Sequence, residues 1–386
     1  MDDIIKVKHR GSFHVGGEKV KLENAPVEDF PYQGKFTFHS DPNGTHWAKQ
    51  MYVQYTELAE PVCPYPILMW HGGGLTGVTW ETTPDGREGF DTLFLRHGFN
   101  VYVSDAVERG RASWAKFPEI NPTPPIFHSY ESRWLNLKMG ETYPIPYEGN
   151  RFPIDHYDQL MMQGVPRWLT SDEWTIDAYC KYIERMQQHV DGVIIMVHSQ
   201  GALYTKKIMQ KYPDFVKAVV FVEAATLPAL DEDLTAFAKI PQLYVYGDFM
   251  SEDYKVVHSW ADSIRKTAPA WYAKLNELHA DHTWMNLPAM GIKGNSHMLM
   301  MDDNNDQIAD MINDWLVKKV PCGSKKANFS PLLVLLGEGP AQLQRRSFAR
   351  LRRPDTLSAD DGGSAPAVLC DLVSNAVIAA PRAASL

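Results

Sequence analysis

The sequence predicts an α/β fold: a doubly wound, mostly parallel sheet with N-terminal antiparallel strands and an inserted cap. From residue 171 onward, short and almost wholly apolar runs alternate with segments of helical length, which is typical of parallel strands buried between two helical layers. Residues from about 6 to 59 alternate apolar and polar positions between turns, which indicates antiparallel strands. Residues 113–170 are rich in proline and aromatic side chains and fit neither pattern, so they form an insertion.

The strands and helices follow in chain order from these patterns. A buried strand at 65–70, a helix at 88–97 and a second buried strand at 100–104 precede the insertion. The elements expected after it are a helix at 171–189, a strand at 193–197, a helix at 202–211, strands at 216–223 and 242–246, a short strand at 285–290 and a closing amphipathic helix at 305–317. Together they predict one domain over residues 1–320.

Two segments lie outside this alternation. The aromatic content of residues 113–170 favours an ordered cap over a flexible linker. Beyond residue 320 the chain carries arginine pairs and then an end rich in alanine, serine and proline. Such a composition buries little apolar surface, so we expect residues 321–386 to be a disordered tail.

The composition excludes several classes of protein. Hydrophobic residues make up 44% of the 386, which is enough for a large core. The formal net charge of −9, from 38 basic and 47 acidic residues, argues against a nucleic-acid partner. No run of about 18 apolar residues predicts a membrane span. The polar residues after Met1 lack the apolar stretch of a secretory signal, which predicts a cytoplasmic location.

The four cysteines are scattered along the chain, at Cys63, Cys180, Cys322 and Cys370. Their positions match neither a metal-ligand spacing nor a disulfide framework. We therefore expect free thiols in a cytosolic protein, and no metal site.

The stretch 193–202, with sequence VIIMVHSQGA, is the best candidate for a site of chemistry. A buried strand runs into a sharp turn with Ser199 at its apex, and a helix-forming run follows. Strand, tight turn and helix form a nucleophile elbow, usually written G-x-S-x-G. Here Val197 replaces the first glycine and Gly201 supplies the second.

The chain also offers the other parts of an acyl-transfer site. The sequence HGGG at 71–74 ends a strand, where amides such as that of Gly73 can face an oxyanion, and the Gln200 amide would be a second donor. His297, in GNSHM at 294–298, lies between the last strand and the closing helix. Serine first and histidine last is the order of the α/β-hydrolase fold.

Two carboxylates are candidates for the group that orients the histidine. Asp248 follows the strand at 242–246, which is the commoner position in this fold. Glu223 ends the preceding apolar strand, where a charged side chain is costly to bury unless it is paired. The residues alone leave both alternatives open.

Three motifs resemble those of the bacterial esterase 713-like family of the α/β-hydrolase superfamily. They are HGGGLTGVTWETTPDGR at 71–87, HSQ at 198–200 and GNSHM at 294–298, within a similarity that runs from about residue 11 to 317. The resemblance implies that Ser199 is the nucleophile, His297 the base and Glu223 the acid, with Gly73 and Gln200 donating to the oxyanion.

The chain departs from the family in two of these motifs. Gly73 and Gly74 stand where the bacterial esterase has paired cysteines, so its vicinal disulfide is impossible here. The elbow has Gly201-Ala202 where the family has Ser-Gly. Substrate preference is therefore the property that transfers least.

These observations predict a serine carboxylic-ester hydrolase that acts through an acyl-enzyme on a small to medium, partly apolar ester. It would need no cofactor and no metal, and it would bind a small-molecule ester and no nucleic acid. The sequence is compatible with a homodimer. The alternatives are a biosynthetic hydrolase that acts on a specific lactone or thioester, and a hydrolase-like binding protein without catalysis.

Overall fold

An eight-stranded mixed sheet carries the fold in the computed structural model, which describes residues 4–115, 117–254 and 257–322. In spatial order its strands are β1 (Val7–Leu22), β4 (Gly44–Leu58), β6 (Val101–Asp105), β5 (Ile67–Trp70), β7 (Val193–His198), β8 (Val216–Val222), β9 (Gln242–Tyr246) and β10 (His282–Asn286). Six neighbouring strands are parallel, and they are β6, β5, β7, β8, β9 and β10. Strands β1 and β4 are antiparallel additions. The predicted fold class is confirmed.

A separate hairpin and eight helices complete the described residues. The hairpin pairs β2 (Glu28–Tyr32) with β3 (Phe36–Ser40). The helices are α1 (Phe90–Arg96), α2 (Tyr130–Asn136), α3 (Tyr157–Met162), α4 (Asp172–Met186), α5 (Gly201–Lys211), α6 (Thr235–Ala238), α7 (Ser259–Glu277) and α8 (Asn305–Lys319). None of these helices is long and apolar enough to cross a membrane.

Strand β7 shows why the central strands are apolar on every residue. Its side chains alternate between two cores: Ile194 and Met196 pack on one face of the sheet, and Ile195 and Val197 on the other. Helices α1 and α8 cover the first face, and α4, α5 and α7 cover the second. Every side chain of a strand buried on both faces lies in one of the two cores. Functional side chains therefore lie at the ends of the strands.

The insertion 113–170 is ordered around its aromatic residues. Most of its buried apolar side chains join the core on the α1 and α8 face, and these are Trp134, Leu137, Met139, Phe152, Tyr157 and Leu160. The Trp134 ring contacts Tyr157 with ring centroids 4.9 Å apart. The insertion is thus attached to the core through apolar contacts.

The last strand differs from its prediction at 285–290. Strand β10 begins at His282, which pairs with Gln242 of β9, and it ends at Asn286. Residues Pro288–Met290 form a turn of 3₁₀ helix. Proline has no N–H to donate to a sheet ladder, so the strand cannot continue through Pro288.

The expectation of free thiols is wrong for two of the four cysteines. Cys63, just before β5, and Cys322, after α8, form a disulfide across a sequence separation of 259 residues. Cys180 is buried and unpaired, and Cys370 lies outside the described residues. The fold brings together two cysteines whose spacing in the sequence matches no known pattern.

The predicted tail at 321–386 lies almost wholly outside the described residues.

Removing this disulfide is expected to destabilise the fold. Because the bond closes a long loop, its loss should lower the free energy of unfolding by about 2–5 kcal/mol. We predict this decrease for Cys63→Ala/Cys322→Ala in urea unfolding followed by circular dichroism. Dithiothreitol should have the same effect on the wild-type chain and none on the double variant. A wild-type chain insensitive to the reductant, with no cross-linked peptide in a non-reducing digest, would contradict the bond.

Candidate active site

Ser199 lies at a sharp turn between β7 and α5, as the motif predicts. Its backbone has φ of 52°, in the left-handed region that L-residues rarely adopt. A Cβ on Gly72 would lie 2.9 Å from the Ser199 Cβ and 2.7 Å from His198 Nδ1, so only glycine fits there. Val197 replaces the first glycine of the motif without a clash, because its side chain is buried in the α4 and α5 core.

Glu223 lies one residue beyond β8 and is bonded to His297. Its Oε2 is 2.9 Å from His297 Nδ1, and both side chains are almost fully buried. Asp248, the other candidate acid, uses its carboxylate on backbone amides: Oδ1 accepts from Phe249 at 2.8 Å and Oδ2 from Gly294 at 3.0 Å. The structure therefore brings Glu223, and not Asp248, to the histidine.

The loop that carries His297 is held from several sides. The His297 amide donates to the Leu137 carbonyl at 2.9 Å, and the His297 carbonyl is 3.0 Å from His198 Nε2. The indole of Trp260 packs on the imidazole, with ring centroids 4.1 Å apart. Burial lowers the pKa of His297 below its usual value, although the bond to Glu223 opposes this shift. The imidazole is therefore neutral at pH 7.

A buried aspartate fixes the residues just before His297. Asp302 accepts from the amide of Ser296 at 2.8 Å and from its hydroxyl at 2.7 Å. It also accepts from Asn295 Nδ2 at 2.9 Å. Burial raises the pKa of Asp302 to about 7. The GNSHM motif is thus a loop whose asparagine and serine both serve to hold its backbone.

Lys138, which sequence reasoning missed, bonds both oxygens of Glu223. Its Nζ lies 3.0 Å from Oε1 and 2.9 Å from Oε2, and it also donates to the Asp248 carbonyl at 2.8 Å. Burial alone would raise the pKa of Glu223, but the Lys138 charge and the His297 bond hold it below its usual value. Ser199, Glu223 and Lys138 all have positive φ, at 52°, 52° and 60°. Such backbone strain clusters at functional sites.

His71 anchors the start of the HGGG turn as a neutral imidazole. The Ala106 amide donates to Nε2 at 3.0 Å, which leaves Nδ1 to donate to the Gly72 carbonyl at 2.8 Å. Full burial lowers the pKa of His71 to about 4. This histidine fixes the turn between β5 and β6.

Arginines from the insertion hold the glycines that follow. Arg133 donates to the carbonyls of Gly73 and Gly74, at 3.2 and 3.0 Å. A Cβ on Gly73 would lie 3.0 Å from both Arg167 Nη1 and the end of the Gln200 side-chain amide. Gly73 and Gln200, the two predicted oxyanion donors, are therefore neighbours. No sequence motif singled out either arginine: Arg133 lies in the short helix α2, and Arg167 in an irregular part of the insertion.

Comparison with known proteins identifies the family. The chain is 33% identical to a bacterial esterase of known structure, with a TM-score of 0.69 over 82% of this chain and 97% of that one. The chain belongs to this esterase family of the α/β-hydrolase superfamily. It is therefore a carboxylic ester hydrolase, and the recognised resemblance is confirmed.

A curated relative supports the same class of enzyme. This chain is 26% identical over 317 residues to phiG of a fungal species, which is named a probable secreted lipase. The match covers 70% of this chain and 86% of that protein. No family model matches the chain.

Loss of the Lys138 charge is expected to raise the pKa of His297. A neighbouring cation disfavours the imidazolium, so Lys138→Met removes a charge that lowers this pKa. The measurement is an NMR titration of histidine-labelled protein. Lys138→Arg, which keeps the cation, should show a smaller shift, and Lys293→Met on the surface should show none. An unchanged His297 pKa in Lys138→Met would show that this charge does not act on the imidazole.

Proposed function

We propose that the esterase acts through Ser199 as nucleophile, His297 as base and Glu223 as acid. The observation that carries the proposal is the 2.9 Å bond from His297 Nδ1 to a buried Glu223. The strained turn with Ser199 at its apex lies close to this pair, since the His198 and His297 ring centroids are 4.7 Å apart. With its Nδ1 proton donated to Glu223, the imidazole has a lone pair on Nε2 that can accept the proton of the serine hydroxyl.

The reaction follows from these roles. His297 Nε2 removes the Ser199 proton as Oγ attacks the ester carbonyl, and the oxyanion is stabilised by the amides of Gly73 and Gln200. The resulting imidazolium is stabilised by Glu223 and protonates the leaving alcohol. Water, deprotonated by the same histidine, then hydrolyses the acyl-enzyme. No cofactor takes part in this scheme.

Lys138 serves as a positioning residue in this proposal. It fixes both oxygens of Glu223, so the carboxylate stays ionised and keeps one orientation. The insertion therefore contributes to the geometry of the acid, although it lies outside the alternating strands and helices.

We also propose a small to medium, partly apolar ester as the substrate. The insertion that carries Arg167 is rich in aromatic side chains, among them Trp168, which packs against Trp114 with ring centroids 5.1 Å apart. This composition favours an ester with apolar parts. A specific lactone or thioester is the alternative that a panel of p-nitrophenyl esters would reveal, if none of them is hydrolysed.

The cytoplasmic location and the homodimer stay predictions. The disulfide between Cys63 and Cys322 weighs against the cytoplasm, since such bonds persist mainly in oxidising compartments. The name of the fungal relative, a probable secreted lipase, points in the same direction. Fractionation of the producing cells and their medium would decide the location.

The serine mechanism predicts covalent labelling of Ser199. A fluorophosphonate probe should label the wild-type chain stoichiometrically and leave Ser199→Ala unlabelled. That variant should also lose about 10⁶-fold in kcat, as in other serine hydrolases. Ser263→Ala, which changes an exposed serine of α7, serves as the control and should keep its label. Absence of label on the folded wild-type chain would sink the serine mechanism and favour a binding protein.

Substitution of the two carboxylates is expected to separate the acid from its neighbour. Glu223→Gln should lower kcat about 10³–10⁴-fold, by analogy with the triad acid of serine proteases. Asp248→Asn, which alters only bonds to backbone amides, should lower kcat much less. Steady-state hydrolysis of p-nitrophenyl butyrate measures both. A large loss in Asp248→Asn alone would overturn the assignment of Glu223.

A further inference from the structure

Three arginines surround the HGGG turn, and none of them forms an ion pair within the described part of the chain. They are Arg109, Arg133 and Arg167. The first two are each only 3% exposed, and Arg167 is half-buried. A guanidinium removed from water is costly unless a negative charge compensates it. Three guanidinium groups without an ion-pair partner at one turn therefore indicate a site that can receive an anion.

Arg133 is fully used by the protein. Its two terminal nitrogens donate to the carbonyls of Gly73 and Gly74. Those carbonyls are neutral, so the bonds satisfy its donors without cancelling its charge. Arg133 thus adds positive potential to the turn while its terminal nitrogens bind the backbone.

Arg167 presents a free edge beside the proposed oxyanion position. Its backbone is fixed by two hydrogen bonds to Ile126, at 2.7 and 2.9 Å. With the Gln200 amide oxygen turned toward it, that oxygen accepts from Arg167 Nε at 3.2 Å and from Nη2 at 2.8 Å. The remaining nitrogen, Nη1, is the one that lies next to Gly73. A neutral amide is therefore its polar partner, and Nη1 faces the site.

Arg109 lies behind this position with an orphaned donor. Its Nη1 is buried and has no hydrogen-bond partner among the described residues. Glu108 and Asp172 act on the Arg109 charge electrostatically, but neither forms an ion pair with it among the described residues. The cluster thus retains positive charge next to Gly73 and Gln200.

We infer that the substrate of this esterase carries a carboxylate, bound by Arg167, in addition to its scissile ester. Nη1 of Arg167 can donate a charge-assisted hydrogen bond to a carboxylate oxygen, and Arg109 and Arg133 strengthen the attraction through their charge. The substrate class is therefore a monoester of a dicarboxylic acid, or an ester of an alcohol that bears a carboxylate. The inference rests on the proposed function, since it places the carboxylate relative to the proposed oxyanion donors.

Matched pairs of esters test the inference and locate the charge. p-Nitrophenyl hydrogen glutarate against p-nitrophenyl butyrate compares a carboxylate on the acyl side with a neutral acyl group. 4-Carboxyphenyl butyrate against phenyl butyrate does the same on the alcohol side. In at least one pair, kcat/KM should be higher for the charged ester, and the advantage should shrink as salt is added because ions screen the attraction.

Substitution of Arg167 isolates its contribution. Arg167→Gln should lower kcat/KM for the charged ester about 10- to 100-fold, which is the range for a hydrogen bond to a charged group. The neutral ester of the same pair should lose less, so that the charged-to-neutral ratio of kcat/KM falls. Arg167→Lys should recover part of the loss, and Arg265→Gln, a change of equal charge elsewhere, should leave the ratio unchanged.

The outcomes that overturn the inference differ from those that overturn the proposed function. A preference for neutral esters in both pairs, or an equal loss on both members of a pair in Arg167→Gln, would show that Arg167 does not bind a substrate carboxylate. In either case the enzyme would still hydrolyse esters and take the fluorophosphonate label. Failure of the proposed function would instead appear as a folded protein that neither hydrolyses esters nor takes the fluorophosphonate label.

Discussion

The buried charge of Glu223 is the constraint on which the proposed site depends. A carboxylate at the end of an apolar strand is unstable in the interior unless charged or polar partners replace water. Here His297 binds one oxygen, and Lys138 binds both. The partners come from the loop before α8 and from the insertion, so the pairing of one charge joins three distant parts of the chain.

This dependence changes what the insertion does. Its aromatic side chains pack into the core, which fixes the segment on either side of Lys138, between Leu137 and Met139. In the same segment, the Leu137 carbonyl accepts a hydrogen bond from the His297 amide. A region that looks like a cap by composition therefore acts as a wall of the site, with apolar contacts that set the position of one buried ammonium group.

The sequence predicted the parts of the structure that are encoded locally. The apolar run of β7, the turn at Ser199 and the serine-to-histidine order follow from neighbouring residues. It did not predict Lys138, since nothing near that lysine indicates a partner 85 residues away. The same holds for the arginines at the HGGG turn and for the cysteine pair. The end of β10 was predicted wrongly because the prediction followed the apolar run, although Pro288 has no N–H to donate to a neighbouring strand. Between Glu223 and Asp248 the residues alone could not decide, since the choice depends on which carboxylate reaches His297 in space.

The bond between Cys63 and Cys322 makes most of the enzyme a closed covalent ring. Strands β5 to β10, the insertion and the residues of the proposed site all lie between the two cysteines. A protease that cuts one peptide bond within this ring leaves the two fragments joined by the disulfide. Lys138 can then remain bound to Glu223 even if the chain is cut nearby. Under oxidising conditions, then, the integrity of the site is not tied to the integrity of every peptide bond around it.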